Sequence, residues 1–375
     1  MSARAARSDL PTGKTDFRFA ENNFDLIRLV AAAEVALRHT IVDLAPELLP
    51  YWLKVVLAFV PGVPIFFFLS GYLISRSWER SPNVREYARN RALRLFPALW
   101  CCVLFATAAI FVTGYMSTVA WQPIKLLAWM VGQGTIFQFW TPDFLRGFGI
   151  GAVNGSLWSI SVEIQFYVAT GVMYWSIRRL PSAWQTVIIG ALAALFSVFN
   201  WHRPAFEDLI ARATGSEALV KLFGVSFLPW YFIFLCGAFA QRISSLIVPL
   251  CIDNAKAVFF MYVAAIFLDF HFWGLPLGNQ IPPYLVPLMG VAVLSAAYAN
   301  PSFGNWLLGG RDFSYGLYIY HMPIANVLIQ LGRTGSGAWI AVALTLSSLC
   351  AWVSWTFVER PTLRRKKSAV RAIQA

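Results

Sequence analysis

Ten apolar stretches of bilayer-spanning length run from one end of this chain to the other. They lie at about 25–43, 55–75, 96–114, 156–177, 185–201, 219–240, 257–275, 284–300, 313–331 and 337–358. A hydrocarbon core about 30 Å thick needs roughly 20 apolar residues of helix. Within it, only helices or closed barrels pair every backbone N–H and C=O. The chain is 58% hydrophobic and 13% charged, which leaves no room for a separate soluble domain. The expected fold is an all-α integral membrane bundle of about ten transmembrane helices. Residues 1–24 form an N-terminal tail, 25–358 the membrane domain and 359–375 a basic C-terminal tail.

One further apolar stretch, 123–140, is interrupted by Gly132, Gly134 and Pro142. Kept out of the count as a re-entrant or interfacial element between the third and fourth spans, it gives loops with a clear charge bias. Twenty-two of the 30 lysines and arginines then fall on one side, in 1–28, 76–95, 178–184, 241–256, 301–312 and 359–375. Basic loops stay in the cytoplasm, so both termini are expected there. Counting 123–140 as a span would put Arg178, Arg179 and the basic tail outside. The N-terminal segment is polar and basic and lacks a short apolar core with a cleavage site, so it reads as a tail and not a signal peptide. The net charge of +12 does not call for nucleic acid; the basic residues sit in short loops where topology and anionic headgroups account for them. The five cysteines lack metal-like spacing, and the histidines and acids are too scattered for a metal site.

Ionisable residues inside spans are few, and such groups are costly in lipid and mark pathways or reaction sites. Arg28 and His39 share the first span; eleven positions are about three turns, so both face nearly the same way, roughly 16 Å apart along the axis. The fourth span carries Glu163 on one stripe with Ser156, Ser159 and Tyr167. If the first and fourth helices are neighbours, Glu163 and His39 meet in the outer half of the membrane, where a carboxylate would orient an imidazole acting as general base. A structural hydrogen bond is the other reading of His39, and an N-cap the other reading of Ser156. Arg91 and Arg94, three apart, share a helical face before Pro97; phosphate capture at a cavity mouth and simple topology control both fit. His321 lies near mid-membrane among Tyr315, Tyr318 and Tyr320, lining a substrate or bonding between helices.

These residues also fall into a pattern. Arg28-x10-His39, FFFLSGYL at 66–73, Arg91-x-x-Arg94 with Pro97, LWSISVEIQFY at 157–167, SYGLYIYH at 314–321 and VERP at 358–361 resemble the acyltransferase-3 family, in its order and spacing along essentially the whole chain. The resemblance implies an integral-membrane O-acyltransferase of the plasma (cell inner) membrane acting on a cell-surface, secreted or lipid-linked carbohydrate. It implies an acyl-CoA co-substrate, most often acetyl-CoA, supplied from the cytoplasm, with no tightly bound cofactor. Carried over by motif, Arg28 and His39 are functional residues, and Arg91 and Arg94 act at the cytoplasmic side as donor-binding groups. Some members add a C-terminal SGNH hydrolase-like domain; with only 359–375 after the last span, this chain is expected to lack one. On this reading His39 and Glu163 are catalytic, and Ser159, Tyr167, Tyr320 and His321 line the substrate or stabilise an oxyanion. The rival expectation is a proton-coupled sugar transporter or flippase using His39, Glu163 and His321, against which stands the lack of an internal repeat.

Overall fold

The computed structural model describes residues 22–80, 83–274, 279 and 281–364, and every regular element among them is a helix. Most of both expected tails lies outside the described residues. In order come α1 (Phe24–Leu44), α2 (Tyr51–Ala58), α3 (Gly62–Arg80), α4 (Val84–Val112), α5 (Pro123–Gln133) and α6 (Trp158–Ile177). Then follow α7 (Ser182–Trp201), α8 (Arg203–Thr214), α9 (Glu217–Gly224), α10 (Tyr231–Arg242) and α11 (Ser244–Asp253). The last are α12 (Ala255–Trp273), α13 (Val286–Tyr298), α14 (Phe303–Leu308), α15 (Ser314–Gln330) and α16 (Gly337–Ser354), the last continuing through a π-helical turn at Trp355–Glu359.

By length and composition, five described helical stretches can cross a membrane, or six if α10 and α11, bent by 91°, count as one. α1 falls outside that set because it carries Asp25, Arg28, Glu34, Arg38 and Asp43, and α15 because it has 17 residues. Of the polar residues that disqualify α1 as an ordinary span, Arg28 belongs to the site described below.

The core is held by close backbone contact. α3 and α10 cross where Gly71 faces the carbonyl of Phe234 and Gly237 faces that of Phe68; a Cβ at either would sit 1.9 or 2.0 Å from that oxygen. Small residues allow this approach, which drives helix association in lipid. Around this crossing pack Phe67, Phe166 and Trp230, and α1 lies against α15, which lies against α16. Asn23 ties the start of α1 down: its Nδ2 donates to Asn300 O at 2.7 Å and its Oδ1 accepts from Gly304 N at 2.7 Å.

Several expected boundaries are corrected. The 55–75 span is interrupted near Pro61, between α2 and α3, yet the two run on as one spanning stretch, Tyr51–Glu79. The helical turn carrying Arg91 and Arg94, expected to close a cytoplasmic loop before the next span, belongs to one 29-residue helix that continues through Pro97 and is about 43 Å long. Asn83 caps it, accepting from Arg85 N at 3.0 Å and Glu86 N at 3.2 Å. Both arginines are thus fixed by a helix. The 219–240 span is two helices: Pro229 offers no N–H, and Gln165 of α6 satisfies the opened backbone, donating to Val225 O at 3.1 Å and accepting from Phe227 N at 3.0 Å. A short helix, α11, occupies the expected loop 241–256. Within 123–140, α5 has 11 residues, about 16 Å, short for a crossing. It buries Leu126 and Trp129 with Tyr115, Phe144 and Phe148 in a second apolar cluster.

Candidate active site

α1, α3, α4, α6 and α15 enclose an indentation with about 760 Å³ of unoccupied space, part of it open to solvent. Six of the residues singled out in the sequence line it: Arg28, Arg91, Arg94, Ser159, Glu163 and Tyr167. Its long wall is α3 from Val63 to Ile74, a rise of about 16 Å, contributing Ser70.

The expected His39–Glu163 pair does not form. Glu163 instead accepts from Ser70 Oγ at 2.6 Å and from Tyr167 Oη at 2.5 Å. His39 meets His321: its Nδ1 lies 2.9 Å from His321 Nε2, with the rings stacked at 24° and centroids 5.2 Å apart. The reason is the neighbour relation, since α1 packs along α15. His321 is fully buried, and its Nδ1 lies 3.3 Å from the carbonyl of Leu317. A carbonyl only accepts, so His321 Nδ1 carries the proton and its Nε2 is an acceptor. His39 Nδ1 must then donate, which leaves His39 Nε2 with a lone pair free to take a proton. A neutral pair in this order holds the first ring in the tautomer a general base needs.

Neither imidazole belongs to the cavity wall; Tyr318 stands between. Its ring lies 6.0 Å from that of His321, and its hydroxyl contacts Ser159 Oγ at 2.6 Å and Ser156 O at 3.0 Å. Ser159 is thus engaged with Tyr318 at the cavity wall, as an oxyanion donor would have to be released. Tyr320, two positions on, faces nearly the opposite way and packs against Phe105 of α4 at 5.5 Å. Tyr320 is therefore not among the residues that line this cavity. The remaining charges of α1 are structural: Arg38 Nε bonds Glu34 Oε1 at 3.0 Å, and Glu34 Oε2 accepts from Gly62 N at 3.2 Å.

At the arginine end the cavity meets carboxylates that sequence reasoning missed. Asp312 lies 2.5 Å from Arg94 and 3.3 Å from Arg28, which also bonds Asp25. Glu359, in the VERP motif, accepts from Ser354 Oγ at 3.0 Å and stands 3.8 Å from Arg94. Asp312 also accepts from Ser314 N at 3.1 Å, an Asx turn that leads into α15. Its burial would raise its pKa, yet Arg94, Arg28 and the Ser314 bonds hold it well below the usual carboxylate range. The signal was present as Asp-x-Ser ahead of an apolar helix, an Asx-turn pattern. Arg91 differs: among the described residues it has no ion pair, its guanidinium lies 5.8 Å from the centre of the Tyr167 ring, and its buried Nε has no partner. Arg91 is therefore the guanidinium best placed to receive an anion. Arg28 and Arg94 can do so only by exchanging Asp312. No group of His, Cys, Asp and Glu among the described residues is arranged to hold a metal ion.

A protein-family profile described as an acyltransferase domain matches residues 21–358. Nodulation protein 10 of Rhizobium leguminosarum bv. viciae is 28% identical, over 93% of this chain and 95% of its own length. An O-acetyl transferase of Shigella phage Sf6 is 24% identical, over 92% and 96%. A peptidoglycan O-acetyltransferase of Listeria monocytogenes is 23% identical over 80% of this chain, which aligns with 50% of that protein. No solved structure matches the chain.

Proposed function

Because this chain belongs to the acyltransferase-3 family and is a membrane O-acetyltransferase, we propose that it carries an acetyl group from cytoplasmic acetyl-CoA to a hydroxyl of a cell-surface, secreted or lipid-linked glycan. The family assignment displaces the transporter reading. The proposal includes about ten spans in the plasma membrane, with both termini in the cytoplasm, as the charge bias of the loops supports.

In this reading Arg91 takes the phosphates of coenzyme A, joined by Arg94 and Arg28 as they leave Asp312. The acyl arm runs along the α3 wall past Ser70 and Glu163. Displacement of Tyr318 from Ser159 opens the way to the imidazoles. His39 Nε2 removes the proton from the acceptor hydroxyl as its oxygen attacks the thioester carbonyl, forming the new C–O bond. Ser159 or Tyr318, released from one another, donates to the tetrahedral oxyanion. Collapse breaks the C–S bond, and the imidazolium returns its proton to the departing thiolate, so the products are ester and free thiol. His321 acts through His39, holding its tautomer and its orientation.

The observation that carries the reading is the His39 Nδ1–His321 Nε2 contact at 2.9 Å, which leaves the outer nitrogen of His39 with a free lone pair. The test uses protein in lipid nanodiscs with radiolabelled acetyl-CoA and a panel of glycans. Label should move to glycan only with an intact thioester donor, and donor turnover that never yields an acetylated glycan would overturn the assignment.

A further inference from the structure

A second cavity opens beside the first, between the segment before α6 and the helices α8, α9 and α10. It has about 1390 Å³ of unoccupied space, part of it open to solvent, and is lined by residues including Gln138, Trp158, Arg203, Glu207, Lys221 and Trp230. None of them takes part in the candidate active site described above. Trp158 lines this cavity while Ser159, the next residue, lines the first. The two spaces therefore back onto one another across the start of α6. From Trp158 to Tyr167, against which Arg91 stacks, is nine residues, about 13 Å along the helix. The second cavity thus lies toward the end of α6 away from Arg91.

Its chemistry is mixed in a particular way. The rings of Trp158 and Trp230 lie 5.1 Å apart, with Trp158 half-buried. Arg203 lies over Trp230 at 5.1 Å and bonds Glu207 at 2.7 Å. Lys221 is exposed at the rim. Gln138 is 3% exposed; its Nε2 is used by Thr135 O, but its Oε1 is buried without a partner. A buried amide oxygen left unpaired costs free energy that a donor from a ligand would recover. Indole faces suit the C–H face of a pyranose, and a carboxylate, a guanidinium and an amide around them suit its hydroxyls. The part of this space that a small ligand could occupy, about 640 Å³, is of the size of ordinary ligand pockets.

We infer that this cavity is the docking subsite of the glycan acceptor, with a sugar ring against Trp158 and a sugar hydroxyl donating to Gln138 Oε1. The identification of the ligand as an acceptor rests on the proposed function, whereas binding itself does not. It places the acceptor on the far side of the Ser156–Ser159 wall from the arginines, so donor and acceptor approach from opposite ends.

The test measures binding without donor, by calorimetry on nanodisc-embedded protein, using a peptidoglycan disaccharide and maltotetraose as probes. The wild type is expected to bind at least one probe. Gln138→Leu and Arg203→Leu should each weaken that binding about fivefold. In turnover assays the KM for glycan should rise by the same factor, and the KM for acetyl-CoA should stay put, showing that the variants are folded. A wild type that binds neither probe, or variants that bind as the wild type does, would overturn the subsite. Binding that responds to both substitutions while no acetyl group moves would support the subsite and count against the proposed function alone.

Discussion

Replacing His321 by Phe separates the catalytic role of the imidazole pair from a merely structural one. The ring is fully buried and contacts His39 Nδ1 at 2.9 Å and the Leu317 carbonyl at 3.3 Å. Phe fills nearly the same volume and removes both contacts. The carbonyl lies within α15, so the stability lost is that of about one buried hydrogen bond, roughly 1 kcal/mol, and the protein stays folded. If the pair works as one general base, kcat should fall about 10²- to 10⁴-fold. The lower figure is already about 2.7 kcal/mol of barrier, well beyond the loss in stability. The decisive point is non-additivity. His39→Ala and His321→Phe should each cost about as much as the double variant, because either change disables the same unit. Steady-state transfer of labelled acetyl groups in nanodiscs, with thermal unfolding as a control, gives the four rates required. Losses that multiply in the double variant, or a near-normal kcat for His321→Phe, would refute the relay.

Arg91→Ala should raise the KM for acetyl-CoA at least about tenfold while leaving the unfolding temperature near that of the wild type, since Arg91 holds no carboxylate. Arg94→Ala should instead lower the yield of folded protein, because it strands Asp312 and Glu359, and a purely kinetic effect would contradict that division. Asp312→Asn keeps the bond to Ser314 N but leaves two guanidiniums short of a partner, for a loss of about 3 kcal/mol at pH 7 by chemical unfolding. With its folded pKa depressed, Asp312 contributes fully above its unfolded value of about 4, and the gap to the variant should close as pH falls from there toward the folded value. Gly237→Ala should destabilise by about 1–3 kcal/mol, because the added carbon meets the Phe68 carbonyl, whereas Gly171→Ala, with nothing within 4 Å, should be neutral or slightly stabilising in the same thermal assay.

How far the sequence reached depended on whether a signal was local. The ends of α1 and α15 were read to within a residue because apolar runs and their flanking polar residues are local signals. The break at Pro229 was not, since only Gln165 of a distant helix makes it tolerable. Arg91 and Arg94 were read as a helical turn separate from the span that follows, because charge marks a membrane boundary, yet a helix carries such charges out of the apolar layer without ending. The six cavity residues were found individually because each is a polar group in an apolar context. Their partners were not, since a single chain does not state which helices touch. Glu163 and His321 were equally available to His39 on paper, and only the packing of α1 against α15 decides for His321. Asp312 escaped notice because an acid in a short loop looks ordinary until it is found between two arginines.

Proteoliposomes with the protein in one orientation test the central claim most directly. Acetyl-CoA is supplied only on the side of the arginine cluster and the glycan only on the opposite side. Transfer across the bilayer should proceed with the wild type and be lost in folded His39→Ala protein. Transfer that requires both substrates on the same side, or that continues without the His39 imidazole, would contradict the account.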